Sequence, residues 1–146
     1  MKKKIYNTKT LYKKFLGFLI KKGNLISAKK ILDNTFIKVS QKTGLSMEVA
    51  LLKLFLMLNT FVEVKKVRIR RRSFLVPFSI TLNRRSYLIA KWLMQSIKDE
   101  RKSSMVEKLT SEIISVIAGN NSKSKKLKLF NISQAMANRS NTHYRW

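Results

Sequence analysis

Cysteine is absent from the 146-residue chain, which excludes a disulfide scaffold, a thiolate nucleophile and Cys-ligated zinc or iron–sulfur clusters. Histidine occurs once, as His143, so no pair of imidazoles can hold a metal. With one proline and four glycines, there is no Walker-type phosphate loop, dinucleotide fingerprint or GxSxG elbow. Nothing points to a cofactor. Long apolar runs are also missing. The longest, Val49 to Val62, is broken by Lys53, Asn59 and Thr60, whereas a membrane span needs about 20 predominantly apolar residues. At the start of the chain, Phe15 to Ile20 is too short for the apolar centre of a signal peptide. Lys21, Lys22 and Gly23 follow it instead of a small-residue cleavage site.

Acidic residues are the scarcest charged class. Seven Asp and Glu stand against 32 Lys and Arg, a formal net charge of +25. Such a chain repels itself when compact, and a polyanionic partner relieves that repulsion. Hydrophobic residues still make up 45%, enough to bury a core, so the chain is not a disordered basic tail. Its length fits one domain, residues 1–146, with no internal repeat or low-complexity linker. The charge is segregated: residues 1–30 carry ten Lys and no acid, and residues 64–98 carry ten Lys or Arg and no acid. After Glu112, six basic residues follow without an acid.

The apolar pattern predicts helices first. Leu11, Phe15, Phe18 and Leu19 recur at helical spacing over about Lys9 to Lys22, stopped by Gly23-Asn24. A second helix runs from about Leu25 to Gln41 on Ala28, Ile31, Leu32, Thr35, Phe36 and Val39, with Gly44 as its stop. Ser46 is placed to cap a third, with Glu48 in its first turn. That helix is apolar almost all round, which puts it at the centre. The period then changes from 3.6 to 2. Val62 to Arg72 reads as a strand with Lys66, Arg68, Arg70 and Arg72 on one face, and Ser73 to Ile80 as its antiparallel return. Phe74, Val76, Phe78 and Ile80 line one face of the return strand, and Pro77 confines it to an edge. Such a hairpin, residues 62–82, is marginal alone and must rest on the helices or reach a partner. A fourth helix starts near Asn83, with Leu88, Ile89, Trp92, Leu93, Ser96 and Ile97 inward. After a break from Asp99 to Ser103, Ser104 and Glu107 form a capping box opening a fifth, stopped at Gly119. A weaker sixth spans about Lys125 to Asn138. The fold class is therefore mainly α, six helices carrying a two-stranded hairpin between helices three and four.

The chemistry of this pattern is phosphate recognition. Four of the nine arginines, Arg68, Arg70, Arg71 and Arg72, fall within five residues at the hairpin tip. Guanidinium forks match phosphate oxygens bidentately and stack on bases. Arg84 and Arg85 open a helix, where the positive dipole end also attracts phosphate, and Lys91 loads the outer side of that helix. Lys2, Lys3 and Lys4 form a basic arm within residues 1–9, and Tyr144 and Trp146 are candidates to stack on bases or to dock on the domain itself. Asp99-Glu100 with Glu107 could form the magnesium site of a basic nuclease, but they read as a helix end and a helix start that neutralise nearby lysines.

These segments together resemble a known family, ribosomal protein seven of the small subunit. The ending His143-Tyr144-Arg145-Trp146 is similar to that family's, with Asn138-Arg139 upstream. The centre matches in order through Val62-Glu63-Val64-Lys65, Val76-Pro77, Arg84-Arg85, Ala90 and Trp92, then Ser104-Met105, Leu109 and Glu112. Phe15, Gly23, Ala28 and Ile31 fit the first two helices, so the likeness covers about residues 10–146. It implies a six-helix bundle with a protruding hairpin that binds the 3′ major domain of small-subunit rRNA and organises the head. It also implies a place near exit-site tRNA and the mRNA exit channel, with small-subunit proteins nine and eleven as neighbours. Residues expected on RNA are Lys2, Lys3, Lys4, Lys21, Lys22, Lys66, Arg68, Arg70, Arg71, Arg72, Arg84, Arg85, Lys91, Lys125, Lys126, Arg139, His143, Tyr144, Arg145 and Trp146. Neither a membrane nor a second copy of the chain is expected as a partner, and no enzymatic activity is.

The chain departs from the family pattern at particular points. Arg70-Arg71 replaces the usual Gly-Gly of the hairpin, and Thr81-Leu82 replaces Arg-Pro after it. Acidic and His positions before the last helix are taken by Lys128, Leu129, Phe130 and Ile132, and Ser140-Asn141-Thr142 stands for Ala-Phe-Ala. The composition, rich in Lys, Asn, Ile and Phe, suggests an AT-rich genome. With the divergent tail and absent presequence, it points to an organelle-encoded protein of the mitochondrial ribosome; a plastid or a bacterial cytoplasm is the alternative. The competing reading of function is a DNA-binding regulator or architectural protein with a basic β-arm.

Overall fold

The computed structural model describes residues 8–98 and 103–145. Lys2, Lys3, Lys4, Asp99, Glu100 and Trp146, all named above, lie outside the described residues.

Six α-helices form where the 3.6-residue pattern places them: α1 Thr8–Leu19, α2 Leu25–Thr43, α3 Met47–Leu58, α4 Leu82–Ser96, α5 Met105–Ile117 and α6 Lys123–Ala137. The chain stops α1 three residues before the expected Lys22, because Lys22 and Gly23 both take left-handed conformations, φ +51° and +76°. Gly44 ends α2 at φ +68°, its N–H donating to the Ser40 carbonyl at 2.8 Å, as a left-handed cap does. The Ser104–Glu107 capping box forms, with both reciprocal bonds at 3.3 Å. Ser46 occupies the N-cap position of α3 but makes no side-chain cap bond. The last helix begins two residues before the expected Lys125, because Ser122 caps it by accepting from the Lys125 N–H.

Helix α3 touches all five other helices, while α1 packs on α4 and α2 on α5. Its near-continuous apolarity thus matches its central place. Leu11, Phe15, Leu32, Leu54, Leu58, Ile89, Leu93 and Leu109 are all essentially inaccessible in this core. Trp92 is buried too, but not there. It joins Ile80 and Leu88 in a second, smaller cluster with Tyr87 and Leu127, at the level where the hairpin leaves the bundle.

The hairpin is β1 Val62–Ile69 paired antiparallel with β2 Arg72–Ser79, in register Ile69↔Arg72 through Val62↔Ser79. The first strand is three residues shorter than the pattern suggested. Arg70 and Arg71 form a two-residue turn, so Arg72 belongs to β2 and does not share a face with Lys66 and Arg68. Cross-strand pairs share a face. One face therefore carries Val67, Ile69, Phe74, Val76 and Phe78, the other Lys66, Arg68, Leu75 and Pro77. Leu82, expected at the end of the hairpin, is already the first residue of α4.

A short 3₁₀ helix, η1 Arg139–Tyr144, follows α6 and was not visible in the periodicity. It packs along β2. There Asn141 Nδ2 donates to the Leu75 carbonyl at 3.1 Å and Arg145 Nε to the Pro77 carbonyl at 2.5 Å. The outer edge of the proline-bearing strand is covered in this way. On the other strand, Asn131 Nδ2 of α6 donates to the Val62 carbonyl at 2.8 Å.

Leu93→Ala should cost about 2–5 kcal/mol, because a fully buried leucine leaves a cavity among packed helices. Urea denaturation measures it, and a loss well under 1 kcal/mol would contradict the core described.

Candidate nucleic-acid interface

The hairpin tip gathers the densest charge. Arg68, Arg70, Arg71 and Arg72 are all exposed. Arg70 holds φ +52°, left-handed for a residue with a β-carbon. That conformation costs of order 1 kcal/mol relative to glycine. The two-residue turn thus forms on Arg70-Arg71 without a glycine. Arg70, Arg71 and Arg72 line a concavity of about 460 Å³ with Ile69, Phe74 and Tyr144. The Phe74 and Tyr144 rings stack at 4.7 Å between centroids, and His143 sits 3.9 Å beyond Tyr144. His143 Nδ1 lies 2.7 Å from the Ser140 carbonyl oxygen. A carbonyl can only accept, so Nδ1 carries the proton. The ending is thus folded against the hairpin: it brings His143 and Tyr144 to Arg70, Arg71 and Arg72, while Arg145 is held farther along β2 at Pro77.

Lys66 and Arg68 project from the opposite face of the hairpin. Lys65 stands 5.5 Å from the centroid of the Phe78 ring. Lys21 and Lys22 are exposed on the α1–α2 turn. Lys126 and Arg139 are exposed at either end of α6, and Lys91 is half-buried on α4. Lys125 donates its ammonium to the Gly119 carbonyl at 2.5 Å, at the end of α5.

Arg84 and Arg85 sit in the first turn of α4, but both have intramolecular partners. Arg84 forms a fork with the buried Glu63, Nη2–Oε1 2.6 Å and Nε–Oε2 2.8 Å, and its guanidinium lies 4.6 Å from the Tyr87 ring centroid. Arg85 lies over Phe61 at 4.1 Å and donates to the Ile80 carbonyl at 3.3 Å. The hydrogen bonds from Arg84 hold the Glu63 carboxyl below its ordinary pKa of 4.5, although burial opposes them. The Arg84 pKa is raised by the same bonds. Sequence reading missed this pair because its members are 21 residues apart and meet only when the hairpin folds onto α4. The available signal was Glu63 itself, the acid that immediately precedes the acid-free stretch 64–98.

Among the described residues, no three His, Asp or Glu side chains gather as a metal site. Among them, too, no helix is long and apolar enough to cross a membrane.

The family model for ribosomal protein S7p/S5e matches residues 1–139. The chain belongs to this family. It is accordingly a structural, non-enzymatic protein of the small ribosomal subunit. It is 28% identical over 142 residues to the small ribosomal subunit protein uS7m of Reclinomonas americana, covering 97% of this chain and 88% of that one. It is 31% identical to uS7 of Limosilactobacillus fermentum, covering 97% and 90%. It is 30% identical to uS7 of Phytoplasma mali, covering 97% and 89%. The geometry adds that the arginine-rich turn and the ending meet.

Two outcomes are expected. Glu63→Gln should lower stability by about 1–2 kcal/mol at pH 7, because one half of a partly exposed fork is lost. Since the folded-state pKa is depressed, the contribution of Glu63 is complete above about pH 4.5 and is lost as pH falls through the lower folded value. Melts from pH 7 to pH 2 should therefore show the variant and the wild type converging in acid. Separately, Arg70→Gly should stabilise the hairpin by about 0.5–1 kcal/mol while weakening RNA binding. A thermal melt beside a filter-binding titration separates the two effects.

Proposed function

We propose that the chain acts as one unit, residues 1–146, that binds the 3′ major domain of small-subunit rRNA and helps to organise the head of the subunit. The observation that carries this reading is the exposed arginine turn at 70–72 joined to the Phe74–Tyr144 stack in one concavity. Forked cations and aromatic rings within one site suit phosphates and unstacked bases of folded RNA. Its partners are rRNA and other proteins of the small subunit, with proteins nine and eleven as neighbours. Exit-site tRNA and the mRNA exit channel lie close to the hairpin. The ribosome in question is mitochondrial, a reading supported by the AT-rich composition and by the likeness to a mitochondrial uS7m. Matches to bacterial uS7 proteins keep the bacterial cytoplasm as the alternative.

Within the proposed RNA surface, Lys66, Arg68, Arg70, Arg71, Arg72, Lys126 and Arg139 supply exposed charge. Lys21 and Lys22 form a separate exposed pair on the α1–α2 turn, and Lys91, Lys125, His143, Tyr144 and Arg145 complete the described part of the surface. Arg84 and Arg85 act differently. With their guanidinium groups engaged by Glu63 and Phe61, their first role is to fix the root of the hairpin.

Replacing Arg68, Arg70, Arg71 and Arg72 together by Ala should weaken binding to small-subunit rRNA at fixed salt without changing helicity. If the wild type neutralises 6–10 phosphates, its affinity should fall roughly 10³–10⁵-fold between 50 and 200 mM salt, and the variant should show a shallower slope. Unchanged affinity and slope would remove the hairpin from the interface. Sedimentation of native lysate tests the larger claim: the chain should travel with the small subunit through a moderate salt wash.

A further inference from the structure

Helix α6 turns its apolar side outward. Lys126, Leu129, Phe130, Ser133, Met136 and Ala137 are all exposed, and their spacing of three and four residues makes them one face. Leu129 and Phe130 are each 60% accessible and Met136 is 71%. An amphipathic helix normally buries such a stripe, yet the side of α6 that faces the bundle is mixed: Leu127 packs on the Ile80–Leu88–Trp92 cluster beside the polar Ser124, Lys128, Asn131 and Gln134. Ser124 donates to Glu112 of α5, and Asn131 donates to Val62 of β1. Lys128 donates to the Met57 carbonyl at 2.7 Å. This last bond brings the end of α3, with Leu56 and Met57 also exposed, beside α6. A contiguous exposed stripe of this kind marks an interaction surface.

We propose that this outer face of α6 is a protein-docking surface whose partner is an acidic amphipathic segment of another protein. The stripe from Lys126 to Met136 is about 15 Å long, the length of three helical turns of a partner. Charge decides what covers it. Lys126 stands on the stripe at one end, Arg139 is exposed just past the other, and α6 carries no Asp or Glu. A second copy of this chain would bring the same cations against themselves. RNA would find no hydrogen-bonding donor on Leu129, Phe130 or Met136, the three large apolar side chains of the stripe. A segment with apolar residues at helical spacing and carboxylates at its ends satisfies both parts, as in helix-in-groove recognition.

The test places a photo-crosslinking amino acid at Ser133 in the tagged full-length chain, irradiates native lysate, separates it on a gradient and maps the adducts by mass spectrometry. The expected result is one dominant protein adduct within an acidic amphipathic segment. Leu129→Glu with Phe130→Asp should reduce it roughly tenfold or more. Both residues are more than half exposed, so that double variant should keep wild-type helicity. Adducts chiefly on RNA, on lipid or on a second copy of the chain, an adduct in a segment without carboxylates, an adduct insensitive to the double variant, or no adduct would each overturn the proposal. The gradient position of the chain is read separately. Migration away from the small subunit would count against the ribosomal reading while leaving the identity of the α6 adduct informative.

Discussion

Mutual repulsion among 32 cations, opposed by seven acids, is the constraint under which this fold is built. Four of the five acids among the described residues are accordingly placed at structural junctions. Asp33 accepts from the Tyr12 hydroxyl at 2.7 Å and ties α2 to α1; burial and that bond push the phenol up to about 12. Glu63 joins the hairpin to α4. Glu107 completes the capping box of α5 and approaches Lys38 of α2 at 3.9 Å, an exposed pair that contributes little. Glu112 accepts from the N–H and hydroxyl of Ser124, so a carboxylate of α5 faces the N-terminus of α6. That placement is favourable for the helix dipole. Each of these contacts links two segments of a chain whose net charge would otherwise drive them apart.

The hairpin shows how a marginal element is made useful. Two strands alone are barely stable in water. Here the root is held by the Glu63–Arg84 fork and by Asn131, and the outer edge of β2 by Asn141 and Arg145. The tip, free of these braces, keeps its arginines exposed. Rigidity at the root and charge at the tip together give a projecting arm of defined direction, which suits shape-dependent recognition of RNA.

Helix α6 carries three separate relations. Its inner side bonds to α3, α5 and β1, its C-terminal end leads into the brace on β2, and its outer side is apolar and open. A helix so held need not be amphipathic in the usual sense, because hydrogen bonds to other elements add to the packing of Leu127 on its inner face.

Much was determined by the sequence itself. The apolar stripes of α2 and α4, the glycine stops at Gly23, Gly44 and Gly119, the Ser104–Glu107 box, the central place of α3 and the switch to period 2 at Val62 all follow from local sterics and hydrophobic periodicity, which neighbouring residues settle among themselves. The family likeness was legible because its residues recur in order. Tertiary structure alone decided the rest. The turn at Arg70-Arg71 moved Arg72 to the other strand, because pairing register, and not alternation along one strand, sets which residues share a face. Arg84 and Arg85, expected on RNA, are also engaged by Glu63 and Phe61, and Trp92 fell into a second cluster apart from the main core. The ending folded onto β2 although His143, Tyr144 and Arg145 stand more than 60 residues from Phe74 and Pro77. Such pairings link residues far apart in the chain, and periodicity within one segment carries no information about them.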